Sequence, residues 1–188
     1  MTEDEAKEIL KKELKFSRID IEKLEMFKSL LLDYNSKYNL ISKKTEKEIW
    51  SRHILDSAQL IKYCNMKNNK NLVDFGSGAG FPGIVLGIFN KNPEFHLKLY
   101  EKSPVKRSFL NNVKNKIDVN FEIAENVYDE LIDTDLIVCR AFKKLDQIVK
   151  ISREKVKKPH KLIILKGKSA QSEINNVSLA KTQPMIVH

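Results

Sequence analysis

The stretch LVDFGSGAGFPG, residues 72–83, constrains the fold of this chain more than any other feature. A short apolar run, typical of a buried strand, is followed by four glycines in eight residues and then by a segment that can start a helix. Glycines permit positive φ angles and let a ligand come close to the backbone. The pattern favours a nucleotide-cofactor loop between a strand and a helix over a purely structural tight turn with a helix-capping acid.

The segments after residue 71 alternate between strand and helix patterns. LVDF predicts the first strand, and FHLKLY, VNFEIA, DLIVC and KLIIL predict four more. Helices are predicted from Gly80 to Phe89, from the Ser103-Pro104 cap onwards, and from Lys143 to Val156. Such alternation predicts an α/β fold with a mostly parallel, doubly wound sheet.

Residues 3–70 show helical periodicity instead. Asp20 is predicted to cap one helix that stops near Asn39, and Thr45 with Glu48 predicts a capping box that opens a second. The polar run NMKNNKN interrupts the pattern. We therefore predict a helical extension over residues 1–68, packed on an α/β core over residues 69–188, within one compact domain.

Composition narrows the class of protein. The chain has 188 residues, of which 41% are hydrophobic, enough for one globular domain with a core. Two cysteines are too few for a disulfide framework, so we expect the reducing cytoplasm. The four histidines are scattered, so no metal site is predicted. The acidic N-terminus is not expected to be a signal peptide, and no apolar run has the length of a membrane span.

The positive charge is concentrated in one segment. The net charge is +9, and residues 140–168 alone contain 11 Lys/Arg and 2 acids. The rest of the chain has 23 Lys/Arg and 23 acids, which cancel. The segment is either a solvated basic helix face or a surface that binds phosphates, and nucleic acid is the favoured partner.

Two acids bear on the identity of the cofactor. Asp74 stands two residues before Gly76, where a carboxylate would repel a pyrophosphate but suit a ligand that carries an ammonium group. Glu101 ends the next strand, where an acid can accept hydrogen bonds from both hydroxyls of an adenosine ribose. Glu101 fits NAD and S-adenosyl-L-methionine equally. The pair, around four glycines, favours S-adenosyl-L-methionine.

The stretches YNLIS, WSRHILDS, VDFGSGAGFPG, KRSFL, VCRAF and LKGK span most of residues 34–168. In this combination and order the chain resembles the RsmG (GidB) family of bacterial ribosomal RNA methyltransferases. The resemblance implies a Rossmann-like S-adenosyl-L-methionine-dependent methyltransferase that modifies N7 of a guanine in the decoding-centre loop of 16S rRNA. It also implies cofactor contacts at Gly76, Phe81, Asn126, Val127 and Arg140. The complete set of predicted cofactor contacts is Asp74, Gly76, Ser77, Gly78, Phe81, Glu101, Asn126, Val127 and Arg140.

Methyl transfer to guanine N7 needs few protein groups. N7 has a free lone pair and no proton, so no general base is expected, and the enzyme mainly aligns two reactants. Arg140 and Lys166 are predicted to position the substrate. Arg140 either holds the cofactor carboxylate or the guanine O6, or pairs with an acid such as Asp74 or Asp146. Lys166 is either a phosphate or base contact or a solvated surface lysine.

The predicted partner is 16S rRNA or the assembling small ribosomal subunit, bound by a monomer. The basic residues predicted to contact RNA are Arg52, Lys102, Arg107, Lys143, Lys144, Lys166 and Lys168. Arg52 and Asp56 are four apart on a predicted helix, so an ion pair between them is the alternative to a role near the cleft. His53 is expected to be a packed histidine rather than a base.

Three other functions stay open at this point. The chain would be a methyltransferase that acts on another RNA or a small molecule, an NAD-binding oxidoreductase that uses GAGFPG, or a non-catalytic RNA-binding protein of the same fold. The placement of Asp74 argues against NAD.

Overall fold

The computed structural model describes residues 1–66, 68–167 and 170–176. Within these ranges, five strands form one sheet in the order β3-β2-β1-β4-β5, and every neighbouring pair is parallel. The strands are β1 (Asn71–Phe75), β2 (His96–Tyr100), β3 (Glu122–Ala124), β4 (Leu136–Arg140) and β5 (Lys161–Leu165). The predicted parallel, doubly wound α/β fold is confirmed. The direction of winding reverses between β1 and β4, and ligands bind such sheets at the carboxyl ends beside that point.

The helices that follow the strands are α6 (Gly83–Phe89), α7 (Pro104–Lys116), α8 (Leu145–Lys155) and α9 (Ala170–Asn176). Three of them lie where the sequence predicted them, α6 and α8 with shorter bounds, whereas the fourth, α9, was not predicted. The helix predicted from Gly80 begins three residues later, because residues 76–80 form the glycine loop. Ser103 is the N-cap of α7 with proline at the first helical position, as predicted.

The N-terminal part is helical, but the predicted bounds are wrong. Its elements are α1 (Glu3–Lys12), α2 (Arg18–Asn35), α3 (Lys43–Glu46), a π-helix (Trp50–Leu55), α4 (Asp56–Ala58) and α5 (Ile61–Cys64). Ser17 caps α2, and Asp20 is the other half of the capping box, accepting from the Ser17 N–H at 2.8 Å. The helix ends at Asn35 rather than near Asn39. Ser42, not Thr45, caps α3.

Side chains of alternate residues in β1 face opposite layers of the fold. Val73 and Phe75 belong to a buried cluster formed with α8. Leu72 belongs to a larger cluster on the other face, which contains residues of α1, α2, α6 and α7. Because side chains alternate along a strand, Asp74 projects to the same face as Leu72, toward α6.

An aromatic contact joins the N-terminal helices to the α/β part. The ring of Phe27, in α2, is fully buried and lies 5.1 Å from that of Phe81 and 6.2 Å from that of Phe109. The largest buried cluster therefore runs from α1 and α2 into the sheet without a break. Among the described residues, no helix combines the length and apolar character that crossing a bilayer requires.

Candidate active site

The glycine loop after β1 has a backbone that requires glycine. Gly76, Gly78 and Gly80 have φ angles of 71°, 59° and 89°, in the left-handed region that side chains disfavour. A Cβ atom on Gly76 would lie 2.3 Å from Cδ2 of Phe142. The loop therefore brings bare backbone against an aromatic ring at the carboxyl edge of the sheet.

A cavity of about 340 Å³ opens beside this loop, within the roughly 300–1,000 Å³ range of small-molecule sites. It lies at the carboxyl ends of β1 to β4, where a doubly wound sheet binds its ligands. The residues that line it are Gly76, Gly78, Tyr100, Glu101, Lys102, Lys106, Glu125, Asn126, Val127, Tyr128, Ala141, Phe142 and Lys143. Five of the nine predicted cofactor residues are among them: Gly76, Gly78, Glu101, Asn126 and Val127.

Glu101 is fixed at the cavity wall by backbone groups. One carboxylate oxygen accepts from the Gly78 N–H at 2.8 Å, and the other accepts from the Ser103 N–H at 2.7 Å. Each carboxylate oxygen can accept a second hydrogen bond, so both can still receive the hydroxyl groups of a ligand. The acid thus ties the glycine loop to the start of α7 and presents its remaining lone pairs at the cavity.

Arg107 stabilises the backbone that follows β2, next to Glu101. Its Nη1 donates to the carbonyl oxygens of Glu101 and Lys102, at 3.0 and 2.7 Å, and its Nη2 lies 3.2 Å from Glu125. These contacts hold the backbone after β2 in place. The guanidinium is therefore engaged inside the fold, although the sequence predicted it as an RNA contact.

Asp74 lies under the glycine loop and is fully buried. Its Oδ2 accepts from the Gly83 N–H at 2.9 Å, at the start of α6. Its Oδ1 is buried with no hydrogen-bond partner among the described residues. Burial raises the pKa of this carboxyl to about 7, although the Gly83 N–H and the Arg140 charge act in the opposite direction. The expected contact between Asp74 and a ligand ammonium stays a prediction.

Ser77 and Phe81 also lie in or under the loop rather than at the cavity wall. The Ser77 N–H donates to the backbone carbonyl oxygen of Tyr100 at 2.9 Å, and its hydroxyl donates to the backbone carbonyl oxygen of Asp74 at 3.1 Å. Phe81 is buried between Phe27 and the ring of His53. In this arrangement both residues stabilise the loop through buried contacts.

Arg140 projects from the end of β4 toward the π-helix. Its Nη1 donates to the carbonyl oxygen of Arg52 at 3.1 Å, and its Nη2 donates to Nδ1 of His53 at 2.8 Å. The guanidinium also lies over the ring of Phe81, 5.2 Å from its centroid. No hydrogen bond joins it to Asp74 or Asp146 in the described part of the chain, so neither acid is its partner.

The expected ion pair between Arg52 and Asp56 is absent from the described part of the chain. Arg52 instead lies 4.0 Å from Glu48. Asp56 is half-buried, and burial raises its pKa against the opposing effect of the Arg140 and Arg52 charges. The π-helix therefore leaves this carboxylate near two arginines without a direct contact to either.

Lys166 lies beneath the loop that follows β4. Its Nζ donates to the carbonyl oxygen of Lys143 and to Glu173 of α9, each at 2.8 Å. The same Glu173 oxygen accepts from the Leu145 N–H at 2.8 Å, at the start of α8. In this arrangement Lys166 and Glu173 hold the loop that carries Phe142 and Lys143.

The basic segment is divided between internal contacts and the cavity edge. Lys158 pairs with Asp133 and Asp135, and Lys161 donates to the backbone carbonyl oxygen of Tyr63. The predicted RNA residues Lys102 and Lys143 line the cavity, Lys144 adjoins it, and Arg52 is largely exposed on the π-helix. Lys168 lies outside the described residues.

Comparison with known proteins identifies the family. The model of the family described as "GidB: rRNA small subunit methyltransferase G" matches residues 20–185. The chain belongs to the GidB family. Two curated relatives named ribosomal RNA small subunit methyltransferase G, from Pelagibacter ubique and Rickettsia akari, are each 39% identical to it. The alignments cover 78% and 86% of this chain and 71% and 82% of the respective relative.

Solved structures agree with the fold of a GidB protein. A precorrin-6y C5,15-methyltransferase from Geobacter metallireducens matches with a TM-score of 0.53 and 16% identity, over 72% of this chain and 71% of that one. An SAH-bound methyltransferase from Podospora anserina matches with a TM-score of 0.52 and 13% identity, over 81% of this chain and 63% of that one. The fold is thus the Rossmann-like α/β fold of S-adenosyl-L-methionine-dependent methyltransferases.

Some features of this GidB site were not predicted from the sequence. Lys106, Tyr128 and Ala141 line the cavity, and each lies within a few residues of a predicted site residue. Tyr128 and Ala141 follow predicted strand ends by four and two residues, and Lys106 lies in the first turn of the helix predicted after Ser103, so closeness to these ends is the signal that could have found them. The contact between His53 and Arg140 joins residues 87 apart, and no local pattern indicates it. Within the described ranges, no group of three His, Cys, Asp or Glu side chains could hold a metal ion.

Proposed function

We propose that this chain methylates N7 of a guanine in the decoding-centre loop of 16S rRNA, with S-adenosyl-L-methionine as the methyl donor. The class of enzyme, an rRNA small subunit methyltransferase, follows from membership of the GidB family. The atom and the nucleotide rest on the resemblance of the motifs. The observation that carries the proposal is the cavity at the glycine loop, lined by Gly76, Gly78 and Glu101, in a chain of this family.

Residues of the cavity wall, together with Asp74 and Arg140 outside it, fit the methyl donor. Glu101 would accept from its ribose hydroxyls, because both carboxylate oxygens keep a lone pair. The buried Oδ1 of Asp74 lacks a partner, and an ammonium group would supply one. Arg140 uses two of its roughly five N–H donors within the protein, so others can hold a carboxylate. Asn126 and Val127 form the wall beyond β3.

The protein contributes alignment to the reaction. S-adenosyl-L-methionine supplies a methyl group already activated on a sulfonium. Guanine N7 is a nucleophile without a proton, so no side chain has to remove one. Holding two reactants in line is worth roughly 7–11 kcal/mol when the geometry is right. Arg140 would orient the reactants directly, and Lys166 would act by holding the Lys143 loop.

The RNA surface that we propose surrounds the cavity opening. Lys102 and Lys106, beside the start of α7, and Lys143 and Lys144, before α8, stand at the carboxyl edge of the sheet. Lysines there would bind phosphates and so position the RNA without reading its sequence. Arg52 extends this surface on the π-helix side.

We also propose that the chain acts as a monomer in the cytoplasm, on free 16S rRNA or on the assembling subunit. Residues 1–68 form the helical extension in this proposal, and residues 69–188 form the catalytic core. The unbroken buried cluster supports one compact unit.

The test uses purified chain, labelled S-adenosyl-L-methionine, and 30S subunits and free 16S rRNA from a strain without the gene for this activity. We expect one labelled 7-methylguanine per rRNA, identified by nucleoside mass spectrometry and mapped by aniline cleavage. Subunits from a strain that has the activity are the control and should accept no label. Label on another base, or on no RNA, would refute the proposal. Titration with S-adenosylhomocysteine and with NAD then separates a non-catalytic RNA-binding protein from an oxidoreductase.

A further inference from the structure

Arg140 and His53 form a contact that the proposed reaction does not by itself explain. The π-helix presents two acceptors to the guanidinium, the Arg52 carbonyl oxygen at 3.1 Å and Nδ1 of His53 at 2.8 Å. Phe81 supports both side chains, because its ring lies 5.2 Å from the guanidinium and 5.1 Å from the imidazole. π-helical segments are found frequently at functional sites.

The contact determines the tautomer of His53. Arginine only donates hydrogen bonds, so Nδ1 has to be the acceptor and the proton of a neutral ring has to be on Nε2. The neutral ring is favoured, because burial lowers the pKa of His53 to about 4 and the charges of Arg140 and Arg52 act in the same direction. The histidine is therefore a fixed, uncharged acceptor near neutral pH.

The arrangement is unfavourable for His53 itself. His53 is 8% exposed, and its Nε2 is buried with no partner among the described residues. A buried donor without an acceptor costs stability, so an apolar side chain of similar size would suit this position better. The position is therefore better explained by the need for an acceptor opposite Arg140 than by packing.

We propose that His53 is a positioning residue for Arg140, which fixes the guanidinium so that its free N–H donors face the carboxylate of the methyl donor. The inference rests on the proposed function in one respect, the binding of an S-adenosyl ligand beside Arg140. His53 does not touch the ligand or transfer a proton. It acts through the orientation of a cation whose donors would otherwise rotate about several bonds.

The test compares three variants by titration with S-adenosylhomocysteine. His53→Asn places a carbonyl oxygen near the position of Nδ1 and should keep the dissociation constant within about threefold of the wild type. His53→Gln places its oxygen near Nε2 instead, and His53→Leu has no acceptor. Both should weaken binding about tenfold or more, which is about 1.4 kcal/mol.

Thermal unfolding of the same variants separates positioning from a structural role. His53→Leu removes the unpaired Nε2–H but also the acceptor of Arg140 Nη2, so these two effects oppose each other, and its melting temperature should stay close to that of the wild type while it binds the ligand more weakly. Binding losses that follow the losses of melting temperature across the three variants would overturn the inference. So would tight binding by His53→Leu.

A spectroscopic measurement tests the contact without any ligand. In ¹⁵N-histidine NMR spectra we expect His53 in the Nε2–H form, and in Arg140→Met we expect this preference to weaken. An Nδ1–H form in the wild type would overturn the inference alone. A wild type that binds S-adenosylhomocysteine but does not methylate rRNA would refute the proposed function and leave the His53 comparison decisive. A wild type that binds no S-adenosylhomocysteine would overturn both.

Discussion

The buried carboxylate of Asp74 makes stability depend on pH in a way that one substitution should remove. Its pKa is raised from 3.8 to about 7, chiefly by burial. In the unfolded chain the carboxyl ionises near its ordinary pKa. Between these two values the folded state binds more protons than the unfolded state, so the free energy of unfolding falls as the pH rises through this window. Above about pH 7 the loss is complete.

The size of the effect follows from the two pKa values. A difference of about three units corresponds to about 4 kcal/mol. Somewhat over a third of this is already lost at pH 5, so roughly 2–3 kcal/mol remains between pH 5 and pH 8. Asp74→Asn does not titrate, and its carbonyl oxygen can still accept from the Gly83 N–H. Between pH 5 and pH 8 the free energy of unfolding of the variant should therefore rise by roughly 2–3 kcal/mol relative to that of the wild type.

Urea unfolding of both proteins at pH 5 and pH 8 measures this difference. The other titrating groups are common to both proteins, so they cancel in the comparison. An unchanged gap between wild type and variant at the two pH values would refute the reasoning. Saturating S-adenosylhomocysteine supplies a second check, because an ammonium opposite Asp74 would lower its pKa and reduce the pH dependence of the wild type. Asp74→Asn should also bind this ligand more weakly.

Three further predictions test other parts of the structure. Gly76→Ala and Gly80→Ala each place a Cβ 2.3 Å from a neighbouring side chain at positive φ, so each should lose about 1–3 kcal/mol of stability. Only Gly76→Ala displaces Phe142 at the cavity, so it alone should weaken S-adenosylhomocysteine binding about tenfold, and equal losses in calorimetric titration would contradict this. Reversing the charges of Lys143 and Lys144 should raise the KM for rRNA and reduce its salt dependence by about one unit of slope per phosphate contact. The same reversal at Lys116, the last residue of α7, and at Lys157, two residues after the end of α8, should change the KM little. Phe27→Ala should cost about 3–5 kcal/mol and keep one cooperative transition in calorimetry, and two transitions would show that the helical extension unfolds separately.

The α/β part could be predicted because its signals are local. Each strand is a short apolar run between turn residues, and Ser103-Pro104 indicates where α7 begins. The N-terminal helices were harder to predict, because helix ends depend on which of several capping residues is used. Asp20 has the right chemistry for an N-cap, yet Ser17 occupies that position and Asp20 completes the box three residues later. Nothing in the periodicity of WSRHILDS indicates a π-helix.

The site could be predicted only up to the residues that the glycine loop and strand ends carry themselves. Gly76, Gly78 and Glu101 line the cavity because each lies within three residues of the carboxyl end of a strand. Asp74 stands one residue before the end of β1, so the alternation of the strand turns it under the loop. The motif alone predicts this acid beside the ligand. In the structure it lies beneath the loop and accepts from the Gly83 N–H, and its contact with a ligand ammonium stays a prediction.

The polar groups left without partners show where ligand binding and stability conflict. In the described part of the chain, the buried side-chain atoms without a hydrogen bond are Trp50 Nε1, His53 Nε2 and Asp74 Oδ1. His53 contacts Arg140, Asp74 interacts with its charge, and Trp50 lies on the same π-helix as His53. A fold selected only for stability would distribute such defects or replace them with apolar side chains. Two of the three residues, His53 and Asp74, interact with Arg140, and the ligand that we propose for Arg140 would explain why these polar groups are retained.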